Sequence, residues 1–437
     1  MKLTGGEIVV RALEDEGIHH TFGIPGTHNI ELYDALADSA GIRPVLVTDE
    51  QSAGFMADGL WRASGSLGCV NIVPGAGLTH ALSGIAEAYM DGVPMLVLGC
   101  GIRRDTTRAY QLHDVDQLAI VAPVTKGTFR PRTGAELYGV IREACALARS
   151  GTPGPVMVEV PVDFYLSRHD VDENAFRVAE PPPPPSAPDQ QVRRAAELLL
   201  AGDARPLVYA GVGAQGASAG LVALAERLEA PIATTIQGKG VFPESHPLFL
   251  WNGFGRAAPP FVQAIAARCN MTLAIGCRFG EVGTGGYGAD PPGRMIHVDI
   301  NPDVFNRNYP AELAITSDAG RFLDALLPLL GRRAEGAGAP AQPDLRSRIA
   351  SGHAQLRRDR EARRSPDRVT PFVLLDALQR QFGPDTVFVT DSGNGTFLAM
   401  ECLRLERPGR MLAPVDYSCM GYSVPAALGA ALGQPGT

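Results

Sequence analysis

The sequence predicts an α/β protein with three doubly wound domains whose sheets are mainly parallel. Three observations support this fold class. Short apolar runs alternate with stretches of helical spacing, Gly (50) and Pro (35) are abundant as βα turns require, and two Pro- and Gly-containing segments divide the chain. A chain of 437 residues also exceeds the usual size of one domain.

The first domain is predicted over residues 1–180, where strands and helices alternate regularly. The expected strands are His20–Ile24, Pro44–Val47, Cys69–Val73, Met95–Leu98 and Val156–Val160. The expected helices are Ile8–Glu16, Ile30–Ala37, Gln51–Ala63 and Leu78–Tyr89. A buried parallel sheet with helices on both faces is the architecture that such alternation favours.

Two linkers separate the predicted domains. The run Pro181–Pro185 favours an extended polyproline spacer, because proline cannot continue a helix or a central strand. The second linker, Gly331–Arg368, opens with Gly, Ala and Pro and continues as the arginine-rich stretch Asp344–Arg364, which predicts a helix with solvated polar faces.

The central domain is predicted over residues 190–335 and the third over residues 365–437. Expected central elements are the strands Pro206–Ala210, Pro231–Thr234, Met271–Ile275 and Met295–Val298, with a helix over Gly220–Leu228. The third segment offers the strands Thr386–Thr390 and Met411–Pro414 and the helices Phe372–Gln381, Thr396–Arg404 and Val424–Leu432. Two strands cannot form a sheet that is buried on both faces, so we expect this segment to be the start of a larger domain.

Composition excludes several classes of function. The formal net charge of -8 gives no electrostatic reason to bind nucleic acid or an anionic membrane. No apolar run of about 18 residues predicts a membrane span, and the N-terminus does not read as a signal peptide. The seven cysteines are scattered without Cys-x-x-Cys spacing, which predicts reduced thiols in a cytoplasmic protein.

Glu50 is the strongest candidate for chemistry. It stands where the strand that we expect to be buried at Val45–Val47 turns into the next helix, and ligand sites of doubly wound sheets lie at the carboxyl ends of strands. A carboxylate there could share a proton with a heterocycle. The alternative is structural, because a glutamate in the first helical turn also offsets the helix dipole.

Longer motifs around Glu50 decide the interpretation. They are Phe22-Gly23-Ile24-Pro25-Gly26, Asp49-Glu50-Gln51-Ser52-Ala53-Gly54-Phe55-Met56-Ala57-Asp58-Gly59, Pro74-Gly75-Ala76-Gly77-Leu78-Thr79, Ala86-Glu87-Ala88-Tyr89-Met90-Asp91-Gly92-Val93-Pro94, Asp116-Gln117 and Gly154-Pro155-Val156. In this order and spacing they resemble the thiamine-diphosphate-dependent 2-oxo-acid decarboxylase and carboligase family, which includes acetolactate synthase, benzaldehyde lyase and 2-ketoarginine decarboxylase. The resemblance implies a pyrimidine-binding (PYR) domain, a Rossmann-like central domain and a partial diphosphate-binding (PP) domain.

The resemblance assigns roles to the first domain. Glu50 matches the glutamate that hydrogen-bonds N1′ of the cofactor's aminopyrimidine. Pro25 and Gly26 belong to the matching first turn, and Gly75, Ala76 and Gly77 match the turn that lets the pyrimidine approach the backbone.

Three polar side chains are candidates on the substrate side. His28 aligns with a histidine of some decarboxylases and of benzaldehyde lyase, which acetolactate synthases usually lack. Gln111 and His113 lie on the loop where the family places substrate-facing polar residues. A histidine on a loop is also commonly just solvated, and that alternative stays open for both histidines.

The third segment resembles the part of the family that holds the diphosphate. Ser392, Gly393, Asn394 and Gly395 match a turn whose backbone amides approach it, and Met420 and Gly421 match the segment that touches the aminopyrimidine. The Mg²⁺ motif of the family is expected soon after Gly429. We therefore assign no metal ligand here and expect the Mg²⁺ ligands, and the rest of the third domain, beyond residue 437.

Gly211-Val212-Gly213-Ala214-Gln215-Gly216 satisfies the Gly-x-Gly-x-x-Gly pattern between a strand and a helix. The corresponding domain binds FAD in acetolactate synthase and does not in many relatives, so FAD stays open without being favoured. Two positions depart from the family, since Asp49 replaces a common His and His80 replaces the usual Asn after Thr79.

The resulting prediction is an enzyme that decarboxylates a 2-oxo acid with thiamine diphosphate and Mg²⁺, with or without carboligation. The resemblance implies a homodimer or a dimer of dimers, in which Glu50 of one chain completes the cofactor site of another. The alternative is a non-catalytic fragment or assembly protein that keeps the family fold without a metal and diphosphate site.

Overall fold

The computed structural model describes residues 1–172, 176, 183–331 and 344–435. The chain divides into two units, each packed around its own core. The first unit contains residues 1–182, 387–392 and 412–437, and the second contains residues 183–386 and 393–411. The predicted third segment therefore contributes residues to both units, and the predicted domain boundaries stay a prediction.

The first unit is an α/β sandwich around a six-stranded parallel sheet. Its elements are β1 (Lys2–Thr4), α1 (Gly5–Asp15), β2 (His20–Gly23), α2 (Ile30–Ala37), β3 (Arg43–Leu46), α3 (Glu50–Ser64), β4 (Cys69–Ile72), α4 (Ala76–Asp91), β5 (Met95–Gly101), α5 (Gln117–Val121), β6 (Gly127–Phe129), α6 (Leu137–Arg149), β7 (Pro155–Pro161), α7 (Val162–Leu166) and β8 (Arg168–Asp170). The strand order of the large sheet is β3-β2-β4-β5-β7-β6, and β1 pairs with β8 in antiparallel fashion.

The central strands β4, β5 and β7 are buried along their whole length, as a sheet covered by helices requires. The expectation of a buried strand before Glu50 is wrong for β3. This strand lies at the edge of the sheet, and the side chain of Leu46 is exposed. Only Val47, which follows the strand, is buried.

The second unit has the strand order of a dinucleotide-binding fold. This strand order alone does not establish that the unit binds a nucleotide. Its elements before the third segment are α8 (Asp189–Leu200), β9 (Pro206–Ala210), α9 (Ser218–Leu228), β10 (Ile232–Thr234), β11 (Phe249–Asn252), α10 (Pro260–Ala266), β12 (Met271–Ile275), β13 (Arg294–Asp299), β14 (Leu313–Thr316), α11 (Ala319–Leu330), α12 (Leu345–Ala362) and α13 (Pro371–Phe382). The parallel order β11-β10-β9-β12-β13-β14 reverses between β9 and β12, as in the doubly wound Rossmann topology.

The remaining elements are β15 (Phe388–Val389), α14 (Asn394–Cys402), β16 (Met411–Leu412) and α15 (Ser423–Gly433). α14 belongs to the second unit and α15 to the first. α15 approaches α3 very closely, because a Cβ on Gly59 would lie 2.1 Å from the carbonyl oxygen of Ala426, and one on Gly429 would lie 2.0 Å from that of Met56. Glycine at both positions therefore permits this helix pair.

The fold class of parallel α/β sheets is confirmed. In the first linker, Pro183–Pro185 have no regular structure, whereas Pro181 and Pro182 lie outside the described residues. In the second, residues 332–343 lie outside them, and the polar helix appears as α12, which buries only Leu345, Ile349 and Gly352. All seven cysteines are free thiols. Over the described ranges no helix combines the length and apolarity that crossing a membrane demands.

Candidate functional site

Glu50 is the first residue of α3, and its carboxylate is turned inward. The residue is 8% exposed, and Oε2 lies 3.3 Å from Nδ1 of His80 on α4. Asp49 is the N-cap of α3, since its Oδ2 accepts hydrogen bonds from the backbone N–H and the hydroxyl of Ser52, both at 3.1 Å. The capping role therefore falls to Asp49, which leaves the Glu50 carboxylate available for other contacts.

The turn Gly75-Ala76-Gly77 lies against Glu50. Gly75 has a φ of 64°, the left-handed region that favours glycine, and a Cβ there would lie 3.3 Å from Cβ of His113. A Cβ on Gly77 would lie 2.9 Å from Cγ2 of Val73 and 3.4 Å from Oε1 of Glu50. Side chains are thus excluded on the side of the turn that faces the carboxylate.

A buried polar network supports this turn from behind. The backbone N–H of Gly75 donates to Oε1 of Gln117 at 3.4 Å, and Nε2 of Gln117 donates to Oε2 of Glu159 at 2.9 Å. Arg130 donates to both oxygens of Glu159, at 2.6 and 3.0 Å. Sequence reasoning did not find Glu159 or Arg130, because their partners lie 29 and 42 residues away and only the fold brings them together.

His28 and His113 meet edge to face, with 5.5 Å between their ring centroids. The loop of His28 is held in place by Asn29, whose side chain accepts from the N–H of Gly26 at 2.6 Å and donates to the carbonyl of Ile24 at 3.2 Å. Partial burial and the neighbouring His113 lower the pKa of His28 below its usual value, although Glu31 opposes the shift. This shift favours the neutral imidazole of His28, which can accept a proton.

Gln111 uses its amide within its own loop. Nε2 of Gln111 donates to the carbonyl oxygen of Arg103 at 3.1 Å. On the same loop, Leu112 is 67% exposed and Tyr110 fully exposed, and His113 has a φ of 66°. The predicted substrate-side role of Gln111 stays a prediction.

Asp391 organises the segment that carries Met420 and Gly421. Its carboxylate accepts hydrogen bonds from the backbone N–H groups of Ser392, Gly421 and Ser423, at 3.0, 2.9 and 3.1 Å. The hydroxyl of Ser423 donates to it as well. Partial burial would raise the pKa of Asp391, but the hydrogen bonds outweigh it and hold that pKa below the usual range. The turn that begins with Ser392 is therefore tied to the Met420 segment.

Met420 itself is 81% exposed, and its carbonyl oxygen lies 3.5 Å from Nε2 of Gln51, the residue after Glu50. In the second unit, Gly393 is the N-cap of α14 with a φ of 100°. A Cβ on Gly393 or Gly395 would meet nothing within 4 Å. The first turn of α14, which includes Asn394, thus presents backbone N–H groups with open space beside its glycines.

A charged network anchors residues 413–422 to α3 and α4. Arg62 pairs with Asp58 at 2.7 Å and with Asp91 at 2.8 Å, and Asp91 accepts from the N–H groups of Val415 and Asp416. The hydroxyl of Tyr422 also donates to Asp58. The spacing of four residues between Asp58 and Arg62 was a signal for the first pair, but nothing local indicates the others.

Asp49, Glu50 and His80 bring three potential metal-ligand atoms within 4.8 Å of one another. The carboxylate of Asp49 is already occupied by Ser52, and the imidazole contact is made by one oxygen of Glu50. Asp49 therefore caps α3, and Glu50 and His80 form a pair beside it. We do not assign a cation to these three residues.

The glycine-rich turn of the second unit has a packing explanation. A Cβ on Gly211 would lie 2.1 Å from the carbonyl oxygen of Gly276, and one on Gly213 would lie 2.8 Å from Cα of Gly276. Both glycines therefore permit the close approach of the turn after β9 to the end of β12, and their presence does not require a nucleotide.

The second unit also contains an open cleft of about 410 Å³ between α12, α13 and the start of the segment after α14. Its cations are already paired, Arg357 with Asp376 at 3.3 Å and Arg360 with Glu401 at 3.5 Å. None of the predicted site residues lines this cleft.

Comparison with known proteins gives matches along most of the chain. Residues 3–120 match the N-terminal TPP binding domain of thiamine pyrophosphate enzymes, residues 192–326 their central domain and residues 391–437 their C-terminal TPP binding domain. A probable 2-ketoarginine decarboxylase of Pseudomonas aeruginosa is 34% identical over 437 residues, covering 99% of this chain and 75% of the relative. The chain belongs to the thiamine pyrophosphate enzyme family.

Other relatives of this thiamine pyrophosphate enzyme are named as acetolactate synthases. The large subunit of acetolactate synthase isozyme 3 of Escherichia coli is 30% identical, with 99% of this chain and 76% of the relative covered. A probable acetolactate synthase large subunit of Methanocaldococcus jannaschii is 31% identical, with 99% and 74% covered. These similarities support an enzyme and do not favour a non-catalytic assembly protein.

The residues of the first unit fit the family's cofactor. Glu50 turns a buried carboxylate toward a turn from which a Cβ is excluded, and a Cβ on Gly26 would lie 2.6 Å from Cγ1 of Val73. A planar heterocycle that offers a nitrogen to Glu50 would use this cradle.

Proposed function

We propose that this protein uses thiamine diphosphate to decarboxylate a 2-oxo acid, with or without joining the product to a second carbonyl compound. The observation that carries the proposal is the buried Glu50 carboxylate, whose Oε1 faces the Gly77 turn. When bound, thiamine diphosphate would supply the nucleophilic carbon and the electron sink that loss of carbon dioxide requires. The chain's own residues would bind it, activate it and move protons.

Glu50 would hold a proton at Oε1 and share it with the pyrimidine ring. The inward position of the carboxylate limits its contact with water, so that a hydrogen bond made there is stronger than it would be in solvent. Gly75, Ala76 and Gly77 would receive the ring, and Pro25 and Gly26 would close the adjacent side.

We propose that the third segment supplies the diphosphate side. Ser392, Gly393, Asn394 and Gly395 would offer backbone N–H groups, and Met420 with Gly421 would support the bend of the cofactor. Binding of Mg²⁺ stays a prediction. FAD is not proposed, because packing against Gly276 explains the glycines of the central turn.

His28 would act as the proton-transfer group for the substrate, with His113 and Gln111 beside it. Its lowered pKa favours the neutral form, and its imidazole lies edge to face with that of His113, with 5.5 Å between the ring centroids. These histidines favour a decarboxylase or lyase reaction over acetolactate synthesis. Release of carbon dioxide from a panel of 2-oxo acids, followed by product analysis, separates these reactions.

The decisive experiment is Glu50→Gln in the complete protein. We expect the rate of carbon dioxide release to fall at least about 100-fold, because removal of one preorganised electrostatic contact commonly has that effect. Glu143→Gln, at an exposed position on α6, is the matched control and should retain activity. Near-normal turnover by Glu50→Gln, with an unchanged circular dichroism spectrum in both variants, would contradict the proposal.

We also propose a homodimer or a dimer of dimers, with Glu50 acting in the cofactor site of a second chain. Subunit mixing tests it with two inactive variants, Glu50→Gln and Asp391→Ala. If Glu50 acts on the partner chain, equal mixing restores about a quarter of wild-type activity, since half of the dimers are mixed and each has one intact site. No restoration in verified mixed dimers would show that Glu50 acts within its own chain.

A further inference from the structure

His80 connects a buried oxygen of Glu50 to solvent. It lies on α4, one helical turn after Gly77, and its Nδ1 is 3.3 Å from Oε2 of Glu50. The side chain of Glu50 is 11% exposed and that of His80 is 68% exposed. The imidazole therefore has one nitrogen beside the carboxylate, while most of the ring is accessible to water.

The two oxygens of Glu50 have different surroundings. Oε1 is the oxygen that a Cβ on Gly77 would approach, whereas Oε2 is the oxygen that His80 contacts. A contact of the cofactor with Oε1 would consequently leave the contact of His80 with Oε2 in place. The carboxylate can thus be bonded on both sides at once.

The other titratable groups near Glu50 are poorly suited to exchange protons with it. Asp49 is engaged as the cap of α3 through Ser52. Tyr33 on α2 is largely buried, and this burial raises the pKa of its phenol well above the usual value. Of these three groups, His80 combines a titratable ring with access to water.

We propose that His80 is a positioning residue that moves protons between solvent and Glu50. This inference rests on the proposed function of Glu50. In the loading direction, the O–H bond at Oε1 would break as its proton passes to the cofactor nitrogen, while the N–H bond at Nδ1 breaks and an O–H bond forms at Oε2. Nε2 takes a proton from a buffer acid, whose own bond to that proton breaks. In the reverse direction, Nδ1 recovers the proton from Oε2, Oε1 would regain its proton from the cofactor nitrogen, and Nε2 returns one to the buffer base. Each step is a proton transfer, so no atom changes its oxidation state.

The sequence supports a function beyond packing. His80 stands where the resemblance predicts asparagine, and an asparagine amide can donate a hydrogen bond to a carboxylate but cannot relay a proton. His80→Asn therefore separates the two roles of the side chain, because it can preserve the contact and abolishes the relay. His19→Asn is the matched control, since His19 is an exposed histidine of the same unit whose Nδ1 lies 3.3 Å from the carbonyl oxygen of Gly41.

The test is the rate at which the C2 proton of bound thiamine diphosphate exchanges with deuterium, measured by rapid quench and NMR. The complete protein is loaded with thiamine diphosphate and Mg²⁺. We expect His80→Asn to slow this exchange about 100-fold, within the range of general acid–base contributions, and His19→Asn to leave it unchanged. His80→Ala should be slow too, and added imidazole should restore it, whereas a buffer too bulky to enter the space of the missing ring should not.

Glu50→Gln in the same assay separates the two proposals. Slow exchange in Glu50→Gln with wild-type exchange in His80→Asn would overturn the inference on His80 and leave the proposed function intact. Normal exchange in Glu50→Gln would overturn the proposed function itself. Absence of rescue of His80→Ala by imidazole would also count against the relay.

A second readout needs no cofactor. In the ¹⁵N NMR spectrum of the cofactor-free protein, the Nδ1 resonance of His80 should move on replacement of Glu50 by Gln, because its charged acceptor is replaced by a neutral one. The resonances of His19 should not move. An unchanged His80 resonance would show that the two side chains are not in contact and would overturn the inference.

Discussion

Two buried glutamates, one in each unit, have opposite surroundings. Glu244 in the second unit accepts from Nζ of Lys239 with both oxygens, at 2.7 and 2.8 Å, and from the N–H of Leu405 at 3.1 Å. Glu50 in the first unit has a contact to His80 at 3.3 Å, and its Oε1 has no hydrogen-bond partner among the described residues. A saturated carboxylate stabilises a fold, whereas a carboxylate with an open oxygen beside a glycine turn is suited to a ligand.

The largest effect on stability is expected from Glu244→Ala. Lys239 is 2% exposed in its side chain and would be left as a buried cation without its partner. Breaking a buried pair in this way costs about 3–5 kcal/mol. Urea denaturation of a Trp61→Phe background, in which Trp251 reports on the second unit, measures the loss.

The double variant Lys239→Met with Glu244→Leu is the control, because it removes both charges together. We expect it to recover most of the lost stability, since apolar replacement of a buried pair is often neutral. If Glu244→Ala lowers the free energy of unfolding by less than about 1 kcal/mol, the Lys239–Glu244 pair does not contribute to stability in the way we expect. The distinction between a structural Glu244 and a ligand-binding Glu50 would then not hold.

The next effect concerns the turn that faces Glu50. In Gly77→Ala the new Cβ would lie 2.9 Å from Cγ2 of Val73 and intrude toward Oε1 of Glu50. Overpacking of this kind costs about 1–3 kcal/mol, so the affinity for thiamine diphosphate should fall about tenfold or more. Calorimetric titration measures this affinity.

Gly216→Ala is the matched control for that substitution. It is the last glycine of the Gly-x-Gly-x-x-Gly pattern, and a Cβ there would meet nothing within 4 Å. Its affinity for thiamine diphosphate should equal that of the wild type. Equal affinities for Gly77→Ala and the wild type would contradict the proposal that the turn around Gly77 receives the pyrimidine ring.

The sequence predicted part of the local structure of both units, because hydrophobic periodicity and turn residues act over a few neighbours, but it did not predict α6, α8, α10, α11, β8, β11 or β14. Ile30–Ala37, Pro206–Ala210 and Met271–Ile275 have the predicted bounds. The three-residue strand Gly127–Phe129 was missed, since one glycine and one threonine give it no apolar alternation. The first strand was missed as well, because its partner lies 168 residues away.

The candidate site was predictable to the extent that its residues occupy long motifs. Glu50 was found because a motif of eleven residues includes it, and the structure shows that the residue is buried. Its pairing with His80 was not predictable, because 30 residues separate them and only the packing of α3 on α4 sets the distance. The same holds for Glu87 and Cys419, which lie 332 residues apart.

Glu87 is intermediate between the fully hydrogen-bonded Glu244 and Glu50, which has one open oxygen. We expect its contribution to stability to depend on pH. Oε2 accepts from the N–H of Cys419 at 2.9 Å, whereas Oε1 is buried without a hydrogen bond among the described residues. Burial, and secondly the charge of Asp91, raise the pKa of Glu87 from 4.5 to about 8. Between these values the folded chain holds a proton that the unfolded chain has released.

Stability should therefore fall as the pH rises from about 5 to 8, with a slope of at most about 1.4 kcal/mol per pH unit from this group. Glu87→Gln cannot titrate, so its stability relative to the wild type should improve over the same range. Thermal denaturation of both proteins at pH 5, 6, 7 and 8 measures the difference. Parallel curves would show that Glu87 is ionised in the folded protein.

The smallest effect is expected at Asp49, which tests whether this residue belongs with the structural carboxylates despite its closeness to Glu50. Its oxygen caps α3 through Ser52, so Asp49→Ala should cost about 1 kcal/mol of stability, and Asp49→Asn, which keeps a good cap, should cost little. Both variants should retain the deuterium exchange rate of the bound cofactor, because the proposed exchange runs through Glu50 and His80 and does not use Asp49. If Asp49→Asn keeps its stability but loses exchange, the charge of Asp49 takes part in the chemistry, and the distinction between saturated and open carboxylates does not hold within this cluster.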